Sequence, residues 1–261
     1  MTSLAPDALL AELHKAADVA ASTAAKLGDE DVAAPSALPD WTRGHVLAHL
    51  AGICNAMARQ LEYAARGETI ELYDGGYEGR TKAIELAAGH PAAQHLEDLR
   101  TALDRVITAF DSLPDASPAQ GGSGDGSEGN RTGWHAPIAY RGGVVLDGGL
   151  ALWRELTIHT SDLGTGRGPE TWSRPFCEHL FEFLAARIRP EDKVVLQPLG
   201  LPPLSIGSGA RTTVVNGMIT DIAAWLAGRE PTLGSLRAEA AADGADLPDL
   251  LPWPAGAPAA R

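Results

Sequence analysis

The stretch DWTRGHVLAHLAGICNAMARQLEYAARGE, residues 40–68, decides the fold of the N-terminal part of the chain. Its apolar residues recur every three or four positions, which is the period of one face of an α-helix. They are Leu47, Leu50, Cys54, Met57 and Leu61. Asp40 or Thr42 can cap the start of this helix, and Gly67 is a typical residue just past its end. The pattern predicts a long helix with one buried face.

Other segments before residue 166 show the same helical period. We expect helices over 7–27, 92–113 and 147–162, with a shorter helical segment near 79–88. Short connections between amphipathic helices are typical of a bundle. The prediction is therefore an antiparallel four-helix bundle, with Gly164 ending its last helix.

The pattern changes after GTGRGPE, and short β-branched runs appear between helical segments. The predicted elements are a helix over 173–189, strands at KVVLQPL (193–199) and RTTVVNG (211–217), and a final helix in MITDIAAWLAGR (218–229). A helix, strands and a helix within about 90 residues favour a small α+β domain. The predicted fold class is thus α+β, with a helical bundle followed by a small α+β C-terminal domain.

Two domains are expected, a bundle over 1–166 and a C-terminal domain over 167–261. The Gly-, Ser- and Asp-rich stretch 115–133 predicts a flexible surface insertion inside the first domain. The proline-rich tail from residue 246 is expected to be extended.

Composition limits the classes of function. The 261 residues carry 21 Lys and Arg against 34 Asp and Glu, a net charge of −13, which argues against binding of nucleic acid. No apolar run approaches the roughly 20 residues that cross a bilayer, and the N-terminus lacks the pattern of a signal peptide. Two cysteines make neither a disulfide framework nor a thiolate zinc site. We therefore expect a cytoplasmic protein; its oligomeric state is not indicated.

Three side chains are candidates for a metal site. Glu155 and His159 are four residues apart, so both lie on one face of the last bundle helix, next to its apolar stripe. His49 borders the apolar stripe of its own helix. If both stripes face one core, two imidazoles and a carboxylate converge, a donor set that suits zinc and leaves coordination positions open. The alternative is an exposed pair and a core histidine, and these patterns alone favour neither.

Several further residues have two interpretations. His45 is a substitute ligand, although a solvated side chain is favoured, and Asp162 could orient a ligating histidine, although a charge in the last helical turn is slightly favoured. Cys54 is better explained as a core residue than as a nucleophile. Arg229 either complements a helix dipole or binds a carboxylate. Trp41 and Tyr73 are interpreted as packing residues.

At these positions the sequence resembles the mycothiol-dependent maleylpyruvate isomerase family, metal enzymes of the DinB-like four-helix-bundle superfamily. The resemblance lies in LPDWTRGHVLAHLAG (38–52), RGETIELYDGGYEGRTKAIELAAG (66–89), WRELTIHTSDLG (153–164) and WLAGR (225–229). These blocks are spread over most of the chain, whereas the rest of the C-terminal segment matches loosely. By motif position, the resemblance implies His49, Glu155 and His159 as metal ligands and Arg229 as a catalytic residue from the C-terminal domain.

The resemblance also implies a chemistry. A divalent metal, zinc by expectation, would bind mycothiol as a thiolate, and the thiolate would add to the cis double bond of maleylpyruvate. Rotation and elimination would then give fumarylpyruvate, with Arg229 holding a substrate carboxylate or an enolate oxygen. Mycothiol is an actinobacterial thiol, and the low lysine content agrees weakly with a high-GC bacterial source; the lysines are Lys15, Lys26, Lys82 and Lys193.

Other functions remain open at this point. The same metal and thiol could serve S-transfer to an electrophile, or thiol exchange in a natural-product or detoxification pathway. Metal-dependent hydrolysis ranks lower, because no additional general base stands beside the ligands. A non-catalytic, metal-stabilised bundle is the fourth possibility. The partners expected in the enzymatic cases are a small-molecule substrate and a low-molecular-weight thiol.

Overall fold

The computed structural model describes residues 4–114, 133–240 and 246–254. Within these ranges one compact unit ends at Thr165 and a second begins at Gly166. Among the described helices, none is both long enough and apolar enough to cross a bilayer. The predicted insertion at 115–133 falls, except for Gly133, outside the described residues.

The N-terminal unit is a bundle of four long helices. The α-helices among its described residues are α1 (Pro6–Ala24), α2 (Asp29–Ala33), α3 (Arg43–Ala64), α4 (Gly76–Ala87), α5 (Ala92–Asp111) and α6 (Val145–Asp162). Around the bundle the order is α1, α5, α3 and α6, and each of these helices packs against two of the others. The two short helices lie outside, with α4 packed on α3. The predicted four-helix bundle is confirmed.

The ends of α3 and α6 follow the local signals of the sequence. Thr42 caps α3, because its Oγ1 accepts a hydrogen bond from the backbone N–H of His45 at 3.3 Å. Gly67 and Gly164 follow the last turns of α3 and α6 and have φ values of +73° and +64°. Residues with a Cβ rarely adopt this left-handed conformation, so glycine at both positions allows the chain to leave each helix sharply.

In its described residues, the C-terminal unit contains two α-helices and a four-stranded sheet. Its elements are α7 (Arg174–Leu184), β1 (Asp192–Pro198), β2 (Leu204–Gly207), β3 (Arg211–Gly217), α8 (Ile219–Leu226) and β4 (Arg237–Ala240). The strand order is β2-β1-β3-β4; β1 and β3 are parallel, and the other two pairs are antiparallel. On β1, Val194 and Leu196 are buried while Val195 is less so, as expected for a strand with one covered face. The predicted α+β class is confirmed.

Some predicted boundaries were wrong. The segment expected at 79–88 begins at Gly76, and the helix expected at 173–189 ends as an α-helix at Leu184, followed by a 3₁₀ turn at Ala185–Arg187. A short helix, α2, lies between α1 and α3 and was not predicted. The strands β2 and β4 were not predicted. In the described part of the tail, 246–254, the chain forms neither helix nor strand.

Gln60 holds two loops against α3. Its side chain is 1% exposed; Nε2 donates to the Ile70 carbonyl at 2.6 Å, and Oε1 accepts from the N–H groups of Ala139 and Tyr140 at 2.9 and 3.2 Å. These three backbone groups depend on a single amide. Gln60 therefore fixes the chain segments that enter α4 and α6.

The substitution Gln60→Met should destabilise the N-terminal unit, because methionine fills a similar volume but leaves these backbone groups without their partner. A buried unsatisfied polar group costs about 1–3 kcal/mol, and we expect a total loss of about 2–4 kcal/mol. Urea unfolding followed by circular dichroism measures it, with Gln94→Met on α5 as control. Equal unfolding free energies of the Gln60→Met variant and the wild type would contradict this role.

Candidate metal centre

Arg43 joins the start of α3 to the end of α6. Its Nε donates to the Leu163 carbonyl at 2.7 Å and its Nη2 to the Gly164 carbonyl at 3.2 Å. These carbonyls lie at the C-terminus of a helix, where a positive charge is favourable. The backbone N–H of Ala37 also donates to the Asp162 carbonyl, at 2.8 Å. The first turns of α3 are thus held beside the last turns of α6.

This contact brings His49, Glu155 and His159 together. One potential ligand atom from each lies within 4.8 Å of the others. Glu155 Oε2 is 2.9 Å from His49 Nε2 and 3.2 Å from His159 Nε2, and the two imidazole rings lie edge to face with centroids 4.6 Å apart. The convergence expected from the two apolar stripes is therefore present.

The three side chains differ in exposure. The His49 side chain is 4% exposed, whereas 18% of His159 and 31% of Glu155 are exposed. His49 is thus the most buried of the three side chains, and Glu155 is the most exposed.

The surroundings set the protonation states of Glu155 and His49, which lie on facing helices. Burial alone would raise the pKa of the Glu155 carboxyl, but hydrogen bonds from His159 and His49 outweigh it and hold this pKa well below its usual range. Burial lowers the pKa of His49, and the hydrogen bond to Glu155 only partly opposes this effect. A carboxylate and a neutral imidazole are the forms that bind metal ions.

Asp162 orients the imidazole ring of His159 through the ring nitrogen that does not face Glu155. Its side chain is 2% exposed, and Oδ2 lies 2.8 Å from His159 Nδ1. Burial would lower the pKa of His159, but its hydrogen bonds with Asp162 and Glu155 raise it to about 9. The favoured prediction, a simple charge in the last helical turn, was wrong. With Nδ1 held by a carboxylate, Nε2 is the nitrogen of His159 that faces Glu155 and His49.

The substitution Asp162→Asn should weaken metal binding by about 10-fold to 100-fold, because asparagine keeps the shape but removes the charge behind His159. Competition with a chromophoric zinc chelator measures this affinity. Asp104→Asn, an exposed position on α5, makes the same charge change and should leave the affinity unaltered. Wild-type zinc affinity in the Asp162→Asn variant would show that Asp162 does not support the site.

Two arginines and two tyrosines lie near this cluster, and the sequence analysis assigned none of them a functional role. Arg80 on α4 lies with Nη2 3.0 Å from His49 Nδ1 and with Cζ 5.9 Å from the centre of the Tyr73 ring. Arg154 is buried and hydrogen-bonds Tyr140, and burial lowers its pKa to about 10. Burial raises the pKa of Tyr73 to about 12 and raises that of Tyr140. Both phenols therefore keep their protons.

Little in the sequence marks these four residues. Arg80 lies within a block that carries the family resemblance, but its contact with His49 depends on the loop between α3 and α4. Tyr73, interpreted as a packing residue, lies in that loop and hydrogen-bonds Arg80. Hydrophobic periodicity describes helices and not the paths of loops.

The other candidates near α3 have structural roles. His45 is not solvated; 17% of its side chain is exposed, Nδ1 lies 2.7 Å from Thr42 Oγ1, and Nε2 lies 3.5 Å from Glu85. Trp41 packs on His45 and against the edge of His49. Cys54 is fully buried in the core, as expected, and burial raises the pKa of its thiol.

Arg229 lies in the C-terminal unit, just after α8. Its backbone N–H donates to the Ala224 carbonyl at 2.8 Å, and its Nη1 donates to the Ala227 carbonyl at 3.0 Å. These contacts agree with the interpretation that it complements the end of a helix. Its assignment as a catalytic residue stays a prediction.

Comparisons with known proteins agree with this architecture. Two crystal structures share the fold, one of the mycothiol-dependent maleylpyruvate isomerase and one of a histidine-to-alanine mutant of it. Their TM-scores are 0.77 and 0.76, their identities are 17% and 16%, and each match covers 96% of this chain and 99% of the other. No curated protein matches the sequence.

The family to which the chain belongs is shown by a family model, because the similarity of fold alone does not show it. The model described as the mycothiol maleylpyruvate isomerase N-terminal domain matches residues 13–164. The match covers more than half of the chain, including α3, α6 and all three candidate ligands. The chain therefore belongs to the mycothiol maleylpyruvate isomerase family.

Proposed function

We propose that the chain is a metal-dependent enzyme that uses mycothiol to isomerise a maleylpyruvate-like substrate from cis to trans. The observation that carries the proposal is the convergence of His49, Glu155 and His159, whose potential ligand atoms lie within 4.8 Å of one another. Family membership supports the choice of thiol and of reaction.

The donor set fits a divalent metal, zinc in this proposal. Two imidazole nitrogens face one carboxylate oxygen, and the second nitrogen of His159 is held by a buried carboxylate, an arrangement typical of metal-ligating histidines. His49, Glu155 and His159 would hold the ion. When bound, the ion supplies one property, the stabilisation of a thiolate near neutral pH.

The protein's own groups would orient the reactants and hold protons. Asp162 fixes the ring of His159, and the phenols of Tyr73 and Tyr140 stay protonated and can donate hydrogen bonds to an anionic oxygen. Arg229 is proposed to hold a substrate carboxylate or an enolate oxygen. The chain provides no thiol for this role, because Cys54 and Cys177 are both buried.

The overall reaction is balanced without an additional reactant. The thiolate sulfur adds to one carbon of the cis double bond, and the electron pair of that bond moves to the adjacent carbonyl as an enolate. Rotation about the resulting single bond precedes elimination. Elimination re-forms the double bond in the trans geometry and returns the thiolate unchanged.

Thiol S-transfer to an electrophile is the second candidate. The three ligands activate a thiol regardless of its acceptor, so their geometry supports transfer and isomerisation equally. Cytoplasmic localisation and an actinobacterial source are also proposals, and they follow from the use of mycothiol.

One experiment tests the function. The metal content of the purified protein is determined, and maleylpyruvate is then offered with mycothiol, with glutathione or with no thiol. We expect about one divalent ion per chain and formation of fumarylpyruvate only with mycothiol. Mycothiol binding without isomerisation would favour the transferase. Turnover of substrate without any thiol, or protein that neither binds metal nor turns over substrate, would contradict the proposal.

A further inference from the structure

Arg80 is a cation beside the candidate metal centre. It lies in α4, partly buried, and contacts His49 and Tyr73. Within 4–114, 133–240 and 246–254, no carboxylate forms an ion pair with it, whereas Arg59, Arg105 and Arg211 each have one. A partly buried guanidinium with free donors is a typical anion-binding group.

The contact with His49 fixes the direction of a hydrogen bond. Arginine has only donors, so Arg80 Nη2 donates and His49 Nδ1 accepts, at 3.0 Å. A neutral imidazole carries one proton, which must then reside on Nε2. The Nε2–H group of His49 then donates a hydrogen bond to Glu155 Oε2, with 2.9 Å between the nitrogen and the oxygen. The two contacts of His49 are therefore consistent with a single tautomer.

That tautomer is incompatible with ligation through Nε2. A nitrogen that binds a metal ion uses its lone pair, so the proton of a neutral His49 must move to Nδ1. Nδ1–H would then face an N–H of Arg80 across the same 3.0 Å. Two donors cannot share a hydrogen bond, so the guanidinium must turn away from His49.

We infer that Arg80 is a substrate-binding residue whose guanidinium is released from His49 by metal binding and then binds a carboxylate of the substrate. The inference rests on the proposed function and adds to it the residue that recognises a carboxylate of the substrate. The guanidinium can form two parallel hydrogen bonds with a carboxylate. Tyr73 continues to hold the guanidinium close to the site, through its ring and its hydroxyl.

The arrangement couples two ligands. Metal binding frees Arg80 for the carboxylate, and a carboxylate bound to Arg80 removes the donor that opposes metal binding. By linkage, each ligand must raise the affinity for the other by the same factor. Direct ligation of a carboxylate to the metal would also couple them, but that contribution does not depend on Arg80.

The test uses Zn²⁺ and maleate as probes, without thiol, on the full chain. Calorimetry gives the affinity for Zn²⁺ alone and the affinity of the zinc-loaded protein for maleate. Nitrogen-15 spectra of the histidine side chains give the tautomer of His49 after chelation and after zinc loading. The variants are Arg80→Gln and Arg80→Lys, and Arg100→Gln, an exposed position on α5, is the charge-matched control.

We expect His49 to carry its proton on Nε2 after chelation and on Nδ1 after zinc loading. In the zinc-loaded Arg80→Gln variant, maleate should bind about 10-fold to 100-fold more weakly than in the wild type, because a charged hydrogen-bond donor is lost. The affinity for Zn²⁺ alone should be equal or higher, since glutamine can accept from Nδ1–H. Arg80→Lys should recover part of the maleate affinity, and Arg100→Gln should match the wild type.

Equal maleate affinities in wild type and Arg80→Gln would overturn the inference, and so would a His49 tautomer that zinc does not change. A strong loss of zinc affinity in Arg80→Gln would show instead that Arg80 only supports the site. Failure of the proposed function has a different signature. In that case zinc and maleate bind as expected and depend on Arg80, but mycothiol produces no isomerisation.

Discussion

The substitution Glu155→Gln is expected to remove nearly all thiol-dependent turnover while the bundle stays folded. Glutamine keeps the size of the side chain but removes the charge that two imidazoles share at 2.9 and 3.2 Å. We expect metal content to fall at least about 10-fold and turnover about 10³-fold, the latter a loss of about 4 kcal/mol of transition-state stabilisation. Metal analysis and a mycothiol-dependent assay measure the two effects.

The control for this prediction is Glu97→Gln, an exposed position on α5, which should keep wild-type metal content and activity. Circular dichroism must show a folded Glu155→Gln variant. Full turnover by that variant would show that Glu155 is not part of the catalytic site. If the variant loses its cooperative unfolding transition instead, the metal-stabilised, non-catalytic bundle becomes the better interpretation.

The substitution Phe110→Ala is expected to have the largest effect on stability. Phe110 is completely buried at the end of α5, and its ring stacks on Trp134 with centroids 5.5 Å apart. It also packs against Gly149 of α6, where an added Cβ would lie 3.3 Å from the ring. Alanine leaves a cavity between two helices, and such a change costs about 3–5 kcal/mol.

Urea unfolding followed by circular dichroism measures the loss. Leu86→Ala is the matched control, because Leu86 is 82% exposed on α4 and its truncation should change stability by less than about 0.5 kcal/mol. Similar unfolding midpoints for the two variants would mean that the packing around Phe110 does not limit the stability of the bundle.

Helix periodicity predicted the bundle because its signals are local. The stripe from Leu47 to Leu61 is buried as expected, and Gly67 follows α3 with the expected positive φ. The four-residue spacing of Glu155 and His159, next to a buried stripe, made their convergence with His49 one of two open interpretations, and the alternative was an exposed pair and a core histidine. Their convergence required only that the two stripes share one core, which is how amphipathic helices bury apolar surface.

There are physical reasons why the sequence analysis did not predict β2 and β4. β2 is an edge strand of four residues with one buried side chain, Ile206, so it has no alternating pattern to detect. β4, with the sequence RAEA, consists of residues that usually favour helices, and it is a strand because β3 pairs with it. The contact of Arg80 with His49 joins two helices and forms only once α3 and α4 are in place. Asp162 contacts His159 within α6, but its role depends on His159 meeting His49 of another helix.

The burial of both cysteines has a practical consequence for experiments. Burial raises the pKa of Cys177 to about 12 and also raises that of Cys54, so neither residue presents a thiolate to reagents at neutral pH. Iodoacetamide or a maleimide added to the folded protein should consume the low-molecular-weight thiol and leave the polypeptide unlabelled. Alkylation can therefore stop an assay at a chosen moment, and fresh thiol restarts it with the same protein molecules.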